Sequence, residues 1–424
     1  MRGSATVLTL FACLIGPGKT LLAADGSHDC VQNESSNSSP QTELKILGND
    51  FPALHGLTEA VANCAGDQSV TAELTQNYRD LQVPALATDP ANFDVVLTGN
   101  NAIVPLLNEA LLRPLDDLIE QYAPELDQQN RVTFDGRTMA IAVLANAQHL
   151  FVRQDLLDAI AAPIPETFSD LIAICEQLQR ESDLQYPLLA AFKSGWDLGL
   201  EFINHYLAAG GNTEGTLNNA YGVQALANLQ AMSECMHPDY LSRGINDVQA
   251  EWQAGNAAVA FLWGSRANSI LDSSDTLPIV REQTRLSGAP MVAHANDPSV
   301  SMPASSLWWV GFAIPRNLPE ESAVNAFKAM VGGMNSLYLL ENYNDDAVWL
   351  LDNFKPSRHS AGVQQVLADN APAYPSHVLT GILHQAAGNE IAAFLQGRLD
   401  AEATLKAVDA SVAASASEKG LLSD

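Results

Sequence analysis

Asn49-Asp50 and Asn100-Asn101 each stand just behind a short apolar run, Leu44-Lys45-Ile46-Leu47 and Asp94-Val95-Val96-Leu97. Side-chain amides donate and accept at once and a carboxylate accepts twice, so these residues can grip neutral hydroxyl groups in pairs. The same residue types also suit the tight corner where a strand ends. Tryptophan supplies the second kind of chemistry. Trp263 closes an apolar run beside Gly264, Trp308-Trp309 open another before Val310, and Trp196 follows Gly195. An indole face covers the apolar face of a pyranose, burying area that hydroxyl groups cannot use. If the strand that follows them is real, its alternation turns one of Trp308 and Trp309 into the core. Trp252 and Trp349 fall in helical patterns and are assigned to packing. Arg266 can fork onto a hydroxyl pair or a carboxylate, or close a surface ion pair.

No pattern for bond-breaking chemistry stands beside these residues. HExxH and GxSxG are absent, the nine histidines are scattered, and no His–Cys spacing suits zinc. Gly195-Trp196-Asp197-Leu198-Gly199 imitates a nucleophile elbow with aspartate and has no partner motif. Gly16-Pro17-Gly18-Lys19-Thr20 imitates the end of a phosphate loop but lacks the earlier glycine, Cys13 standing in its place. We therefore expect no catalytic residue, no metal site and no cofactor.

The elements that must position the candidates alternate in type. Strands are predicted at 44–47, 70–78, 94–97, 138–143 and 309–315, and 251–261 is read as a helix end running into a strand. Helices are predicted around 57–64, from Thr167 as cap with Asp170 three residues on, over 221–236 and 322–331, and through the last sixty residues. That order predicts an α/β fold with buried, mostly parallel strands.

Length and charge agree. The chain has 424 residues, enough for two lobes, with mean hydropathy near zero. Its formal charge is 21 − 49 = −28, and it holds only seven lysines. Such a surface repels phosphate backbones and anionic membranes, so no nucleic-acid partner is expected. Arg2 followed by the apolar run Ala5–Gly16 reads as a signal peptide cleaved near Ala24, with a Ser/Asn-rich leader over 25–42. Leu10-Phe11-Ala12-Cys13 makes a poor lipidation site. The four other cysteines are expected to pair as Cys30–Cys64 and Cys175–Cys235 in an oxidising space, buried free thiols being the alternative.

Several segments, taken in order, resemble the extracellular solute-binding proteins of bacterial ABC importers, in the branch with the maltose-binding and other sugar-binding proteins. Leu111–Asp117 is similar to Gly-x-Leu-x-Pro-Leu-Asp, with Ala110 where glycine is usual. Phe151–Leu157 resembles Tyr-x-Lys-Asp-Leu-Leu, and Pro165–Leu171 resembles Pro-x-Thr-Trp-x-Glu-Leu. Gly255–Val259 resembles Gly-Lys-Ala-Ala-Met, while Phe312–Pro315 and Gly397–Glu402 match later pieces. The chain departs from the pattern at Thr98, where an aromatic is frequent, and at Trp308-Trp309, where two glycines are common.

The resemblance implies a two-lobe periplasmic-binding-protein fold of the type II, Venus-flytrap kind, with the ligand cleft between lobes. By analogy, lobe one is 43–140 plus 292–345 and lobe two is 148–290 plus 350–424. It implies a monomeric periplasmic receptor that closes on a sugar or polyol and passes it to ABC permease subunits. A polyamine ligand, a sensor-linked receptor and a glycoside hydrolase are the other readings. Ligands in open α/β sheets sit beyond strand carboxyl ends and between domains, which is why Asn49, Asp50, Asn100, Asn101, Trp196, Trp263, Trp308, Trp309 and Arg266 are the candidates.

Overall fold

The structure, a computed structural model, describes residues 43–421 apart from 101, 338–339, 352–353 and 378. The expected signal peptide and leader, Cys13, Cys30 and Asn101 lie outside the described residues. No helix among the described residues is long and apolar enough to cross a membrane. The chain divides into two compact units. Unit one runs to Ala145 and returns over Trp308–Lys355, and unit two comprises Asn146–Leu307 and the chain from Pro356. Residues 292–307, expected in lobe one, belong to unit two, and 350–355, expected in lobe two, belong to unit one.

Unit one begins with β1 (Glu43–Gly48), α1 (Pro52–Cys64), β2 (Ser69–Leu74), α2 (Tyr78–Leu86) and β3 (Val95–Gly99). It continues with α3 (Ile103–Asn108), α4 (Asp116–Tyr122), β4 (Arg131–Phe134) and β5 (Arg137–Asn146). Unit two follows with β6 (Gln148–Arg153), α5 (Gln154–Ala159), α6 (Phe168–Glu181), β7 (Leu188–Leu189), α7 (Trp196–Ala208) and α8 (Ala220–Glu234). Next come α9 (Ile245–Gln253), β8 (Val259–Trp263), α10 (Ala267–Leu271), α11 (Pro278–Gln283), β9 (Thr284–Ser287), β10 (Met291–Ala293) and β11 (Ser301–Pro303). The chain re-enters unit one as β12 (Trp308–Ala313), α12 (Glu320–Ser336) and β13 (Val348–Trp349). It ends in unit two as α13 (Ala361–Ala368), α14 (Thr380–Leu395) and α15 (Ala401–Glu418).

In unit one the sheet order is β13-β5-β12-β3-β1-β2, with β4 on β5. Ile46, Val95, Leu97, Ile141, Val143 and Phe312 of the sheet share one core with Leu57 and Val61 of α1 and Phe327 and Met330 of α12. The helices α1 and α12 meet at Gly333, where a Cβ would lie 2.6 Å from the Val61 Cα. Ala110, standing where the related motif carries glycine, takes φ +49°. Trp349 lies in strand β13 rather than in the expected helix, and is buried there.

In unit two the sheet order is β7-β8-β6-β9. Phe151, Leu262, Trp252, Ile270 and Val280 pack on one another beside it. Helix α6 starts where Thr167 and Asp170 predict it. The Asp170 N–H donates to Thr167 Oγ1 at 3.2 Å, and the Thr167 N–H donates back to Asp170 Oδ2 at 3.0 Å. Helices α7 and α14 touch through glycine. The Gly195 N–H donates to the Gly388 carbonyl at 3.0 Å, and a Cβ on Gly388 would fall 1.8 Å from the Gly195 oxygen.

Two further expectations change. The strands are not mostly parallel: β1 runs parallel to β2 and β3, and β7 to β8, whereas β12–β3, β13–β5, β4–β5, β6–β8 and β6–β9 are antiparallel. A strand covered on both faces reads as an apolar run whichever way it points, so its direction leaves no trace in the pattern. Cys175 and Cys235 are both buried and both free, so the expected bond between them is absent. Their thiols share a hydrogen bond, which together with burial pushes the Cys175 thiol up and keeps it protonated. Cys64 is disulfide-bonded, and its expected partner Cys30 is not among the described residues.

Candidate functional site

Parallel pairing puts the carboxyl ends of β1 and β3 on one edge of the unit-one sheet. β12, antiparallel to β3, begins on the same edge, with Val310 opposite Gly99. Asn49, Asp50, Asn100, Trp308 and Trp309 therefore share this edge. Asp50 is exposed and its Oδ1 lies 2.8 Å from His55 Nε2, so a carboxylate and an imidazole stand together there. The Asn49 Oδ1 accepts the Asp50 N–H at 2.9 Å, a turn role. Asn100 is buried, and its Oδ1 accepts the Trp309 N–H at 2.8 Å, anchoring β12 to the end of β3. Trp309 is buried and Trp308 half-buried, as period-two alternation requires.

Unit two has a corresponding edge. β7 and β8 run parallel, and β6 begins where β8 ends, with Gln148 opposite Trp263. Trp263 is half-buried at that end, and Gly264–Arg266 form the turn that follows. Trp196 opens α7 after Gly195, whose φ of +100° favours glycine. Its ring stacks on His384 at 4.9 Å, and His384 Nε2 lies 2.7 Å from the Trp196 carbonyl oxygen. Arg266 is not in a surface ion pair. Its Nη2 donates to Asn246 Oδ1 at 2.8 Å and its Nη1 to Gln249 Oε1, so the guanidinium is held in a fixed plane.

Sequence reasoning did not single out Asp197 as a candidate. The elbow-like Gly195–Gly199 segment is the first turn of α7, with no strained nucleophile turn. Burial pushes the Asp197 carboxyl up to about 6, against the pull of Lys193 and Arg266. The edge thus offers two half-buried indoles, a carboxyl, an ammonium and a guanidinium. Such a set can stack on a sugar ring and hydrogen-bond its hydroxyl groups. The one sequence signal for Asp197 was its place beside Trp196, between Gly195 and Gly199.

A cavity of about 300 Å³ lies at the other edge of the unit-two sheet. It is lined by Tyr186, Leu189, His237, Arg243, Glu251 and Asn256, none of them a candidate. Its Arg243 is already paired with Asp239 at 2.6 Å. Among the described residues, no group of three or more His, Cys, Asp or Glu could hold a metal ion.

Residues 67–314 match the family model described as bacterial extracellular solute-binding protein. A comparison with curated protein sequences gives no significant match. Among solved structures, the chain is similar to an ABC transporter solute-binding protein of Agrobacterium radiobacter K84 in complex with ribitol. The identity is 18%, with 88% of this chain and 98% of that one covered at a TM-score of 0.68. A counterpart from Agrobacterium vitis S4 with bound D-mannitol is 18% identical, covering 89% and 99% at 0.68. Maltose-bound MalE3 of T. maritima is 16% identical, covering 90% and 100% at 0.69. At these identities the likeness shows the fold, that of the two-lobe solute-binding proteins.

Proposed function

The chain belongs to the bacterial extracellular solute-binding proteins, and from that premise we propose that it is the exported receptor of an ABC importer for a sugar or polyol. The observation that carries the ligand class is the unit-two edge, where half-buried Trp196 and Trp263 accompany Asp197, Lys193 and Arg266. The ligands named for its structural relatives, ribitol, D-mannitol and maltose, are of the same neutral, hydroxyl-rich kind. Two cations acting on Asp197 offset its charge, which weighs against a polyamine.

In this reading the solute touches residues of both units only when they close on it, so binding shifts the population toward the closed form. Asp50, Asn49, Asn101, Trp308, Trp196, Trp263 and Arg266 are the contacts we assign. Asn100 and Trp309 support them from behind. A permease in the membrane then receives the solute from the closed receptor, which acts as a monomer in the periplasm after its signal peptide is removed.

The test is thermal unfolding of the exported protein with ribitol, D-mannitol, maltose and spermidine. A ligand at a hundred times its Kd adds about 2.7 kcal/mol of stability. A saturable shift with a sugar or polyol, lost in Trp263→Ala, is expected. A shift with spermidine alone would replace the ligand class.

A further inference from the structure

Two of the three passages between the units are tied, on the unit-two side, to one buried polar row. The chain crosses at Ala145–Asn146, at Leu307–Trp308 and at Lys355–Pro356, and the first two crossings carry the row. Ser305 Oγ donates to the Gln148 carbonyl at 2.7 Å, joining the two passages directly. Ser306 Oγ donates to Asn204 Oδ1 at 2.6 Å, and Asn204 Nδ2 donates to Gln148 Oε1 at 2.8 Å. Gln148 Nε2 donates to Glu201 Oε1 at 2.8 Å. None of these five residues is more than 2% exposed. Glu201 and Asn204 lie on α7, the helix that Trp196 opens, and Gln148 stands opposite Trp263.

The row ends at an anomaly: Glu201 Oε2 is buried and has no hydrogen-bond partner. An ionised carboxylate with one bare oxygen is costly in a dry interior, and the neutral acid is the form such a place selects. Burial accordingly pushes the Glu201 carboxyl up to about 8, against the Gln148 hydrogen bond, which favours the ionised form, and with Asp197, one turn earlier on α7, adding to the rise. Other titratable groups near α7 include His205 and Tyr206 on the helix itself, His149 beside Gln148 on β6 and His384 from α14. His294, close to Gly210, stands beyond the end of α7, and Lys193 and Arg266 act on Asp197.

We propose that Glu201 is a positioning residue that, as the neutral acid, lets Gln148 and through it two of the three crossing segments pack against α7, and that ionising it, costly where Oε2 has no donor, is coupled to opening of those segments. The functional consequence, a receptor whose closing geometry weakens in alkali, rests on the receptor reading; the placement of Glu201 does not.

Amide hydrogen exchange on the ligand-free protein, corrected for the intrinsic pH dependence of exchange, separates the two. Between pH 7 and 9.5, protection of segments 146–150 and 303–307 should fall about tenfold, since pH 7 lies one unit below the folded midpoint near 8 and the dependence levels off above that midpoint. Glu201→Gln, isosteric with the neutral acid, should match the wild-type protection at pH 7 and lose the pH dependence. D-mannitol and maltose thermal shifts, measured in parallel at pH 7 and 9, report on the receptor reading alone. Wild-type protection that stays flat to pH 9.5 overturns the proposal. So does an unchanged pH dependence in Glu201→Gln, or loss of protection in that variant at pH 7. Silence of both D-mannitol and maltose with the expected exchange pattern would count against the ligand class and leave Glu201 in place.

Discussion

His205 should make unit two sensitive to acid by an amount that one substitution can isolate. It lies on α7 with no exposed surface, its ring edge-on to Phe168 at 5.4 Å and its Nδ1 3.2 Å from Asn228 Nδ2. Its Nε2 has no partner. Burial, the sole cause, holds the imidazole at about 4 against an ordinary 6.5. The folded-state pKa is therefore depressed. The stabilisation it represents is whole above pH 6.5 and is lost as pH falls through 4. A depression of about 2.5 pH units at about 1.4 kcal/mol each gives about 3 kcal/mol lost by pH 4.

The wild-type profile alone will not display that figure. Glu201 and Asp197, raised to about 8 and about 6, contribute stability that is present in acid and lost as pH rises through those values. They oppose the histidine over the same range. His205→Gln keeps an acceptor for Asn228 and cannot titrate. Urea unfolding of both proteins between pH 7 and 4, followed by circular dichroism, should show their difference in stability moving by about 3 kcal/mol in favour of the variant. A difference that holds within 1 kcal/mol across that range refutes the reasoning.

Ala110→Gly should raise stability by about 1 kcal/mol, since φ +49° strains alanine and suits glycine; a lower urea midpoint would contradict this. Gly388→Ala drives a methyl into the Gly195 carbonyl at 1.8 Å, and should cost about 3 kcal/mol or more while separating Trp196 from His384, which near-UV circular dichroism can follow. Thr167→Ala removes the cap of α6 and should cost about 1 kcal/mol in thermal unfolding. Trp309→Ala should cost about 3–5 kcal/mol through its buried ring, whereas half-buried Trp308 should lose less stability on the same change and show its effect in ligand binding.

The resemblance drawn from segments scattered along the chain agrees with the family match over 67–314 and with the fold of the solved relatives. What the sequence determined by itself was local. Thr167 and Asp170 cap α6 because both partners lie within one turn. The order of strands and helices was legible because apolar spacing is a property of neighbours. Period two decided that one of Trp308 and Trp309 must be buried.

The tertiary structure decided what depends on distant partners. Asn100 could serve a ligand or a turn until Trp309, 209 residues away, was seen to donate to it. Cys175 and Cys235 were expected to bond, and they meet as thiols. Strand direction, Arg266 held by Asn246 and Gln249, and the burial that sets Asp197, Glu201 and His205 apart all arise from packing. Burial shifts the free energy of a charge by several kcal/mol and is absent from any local pattern. Candidate side chains were therefore readable as types, while their protonation and partners came only with the fold.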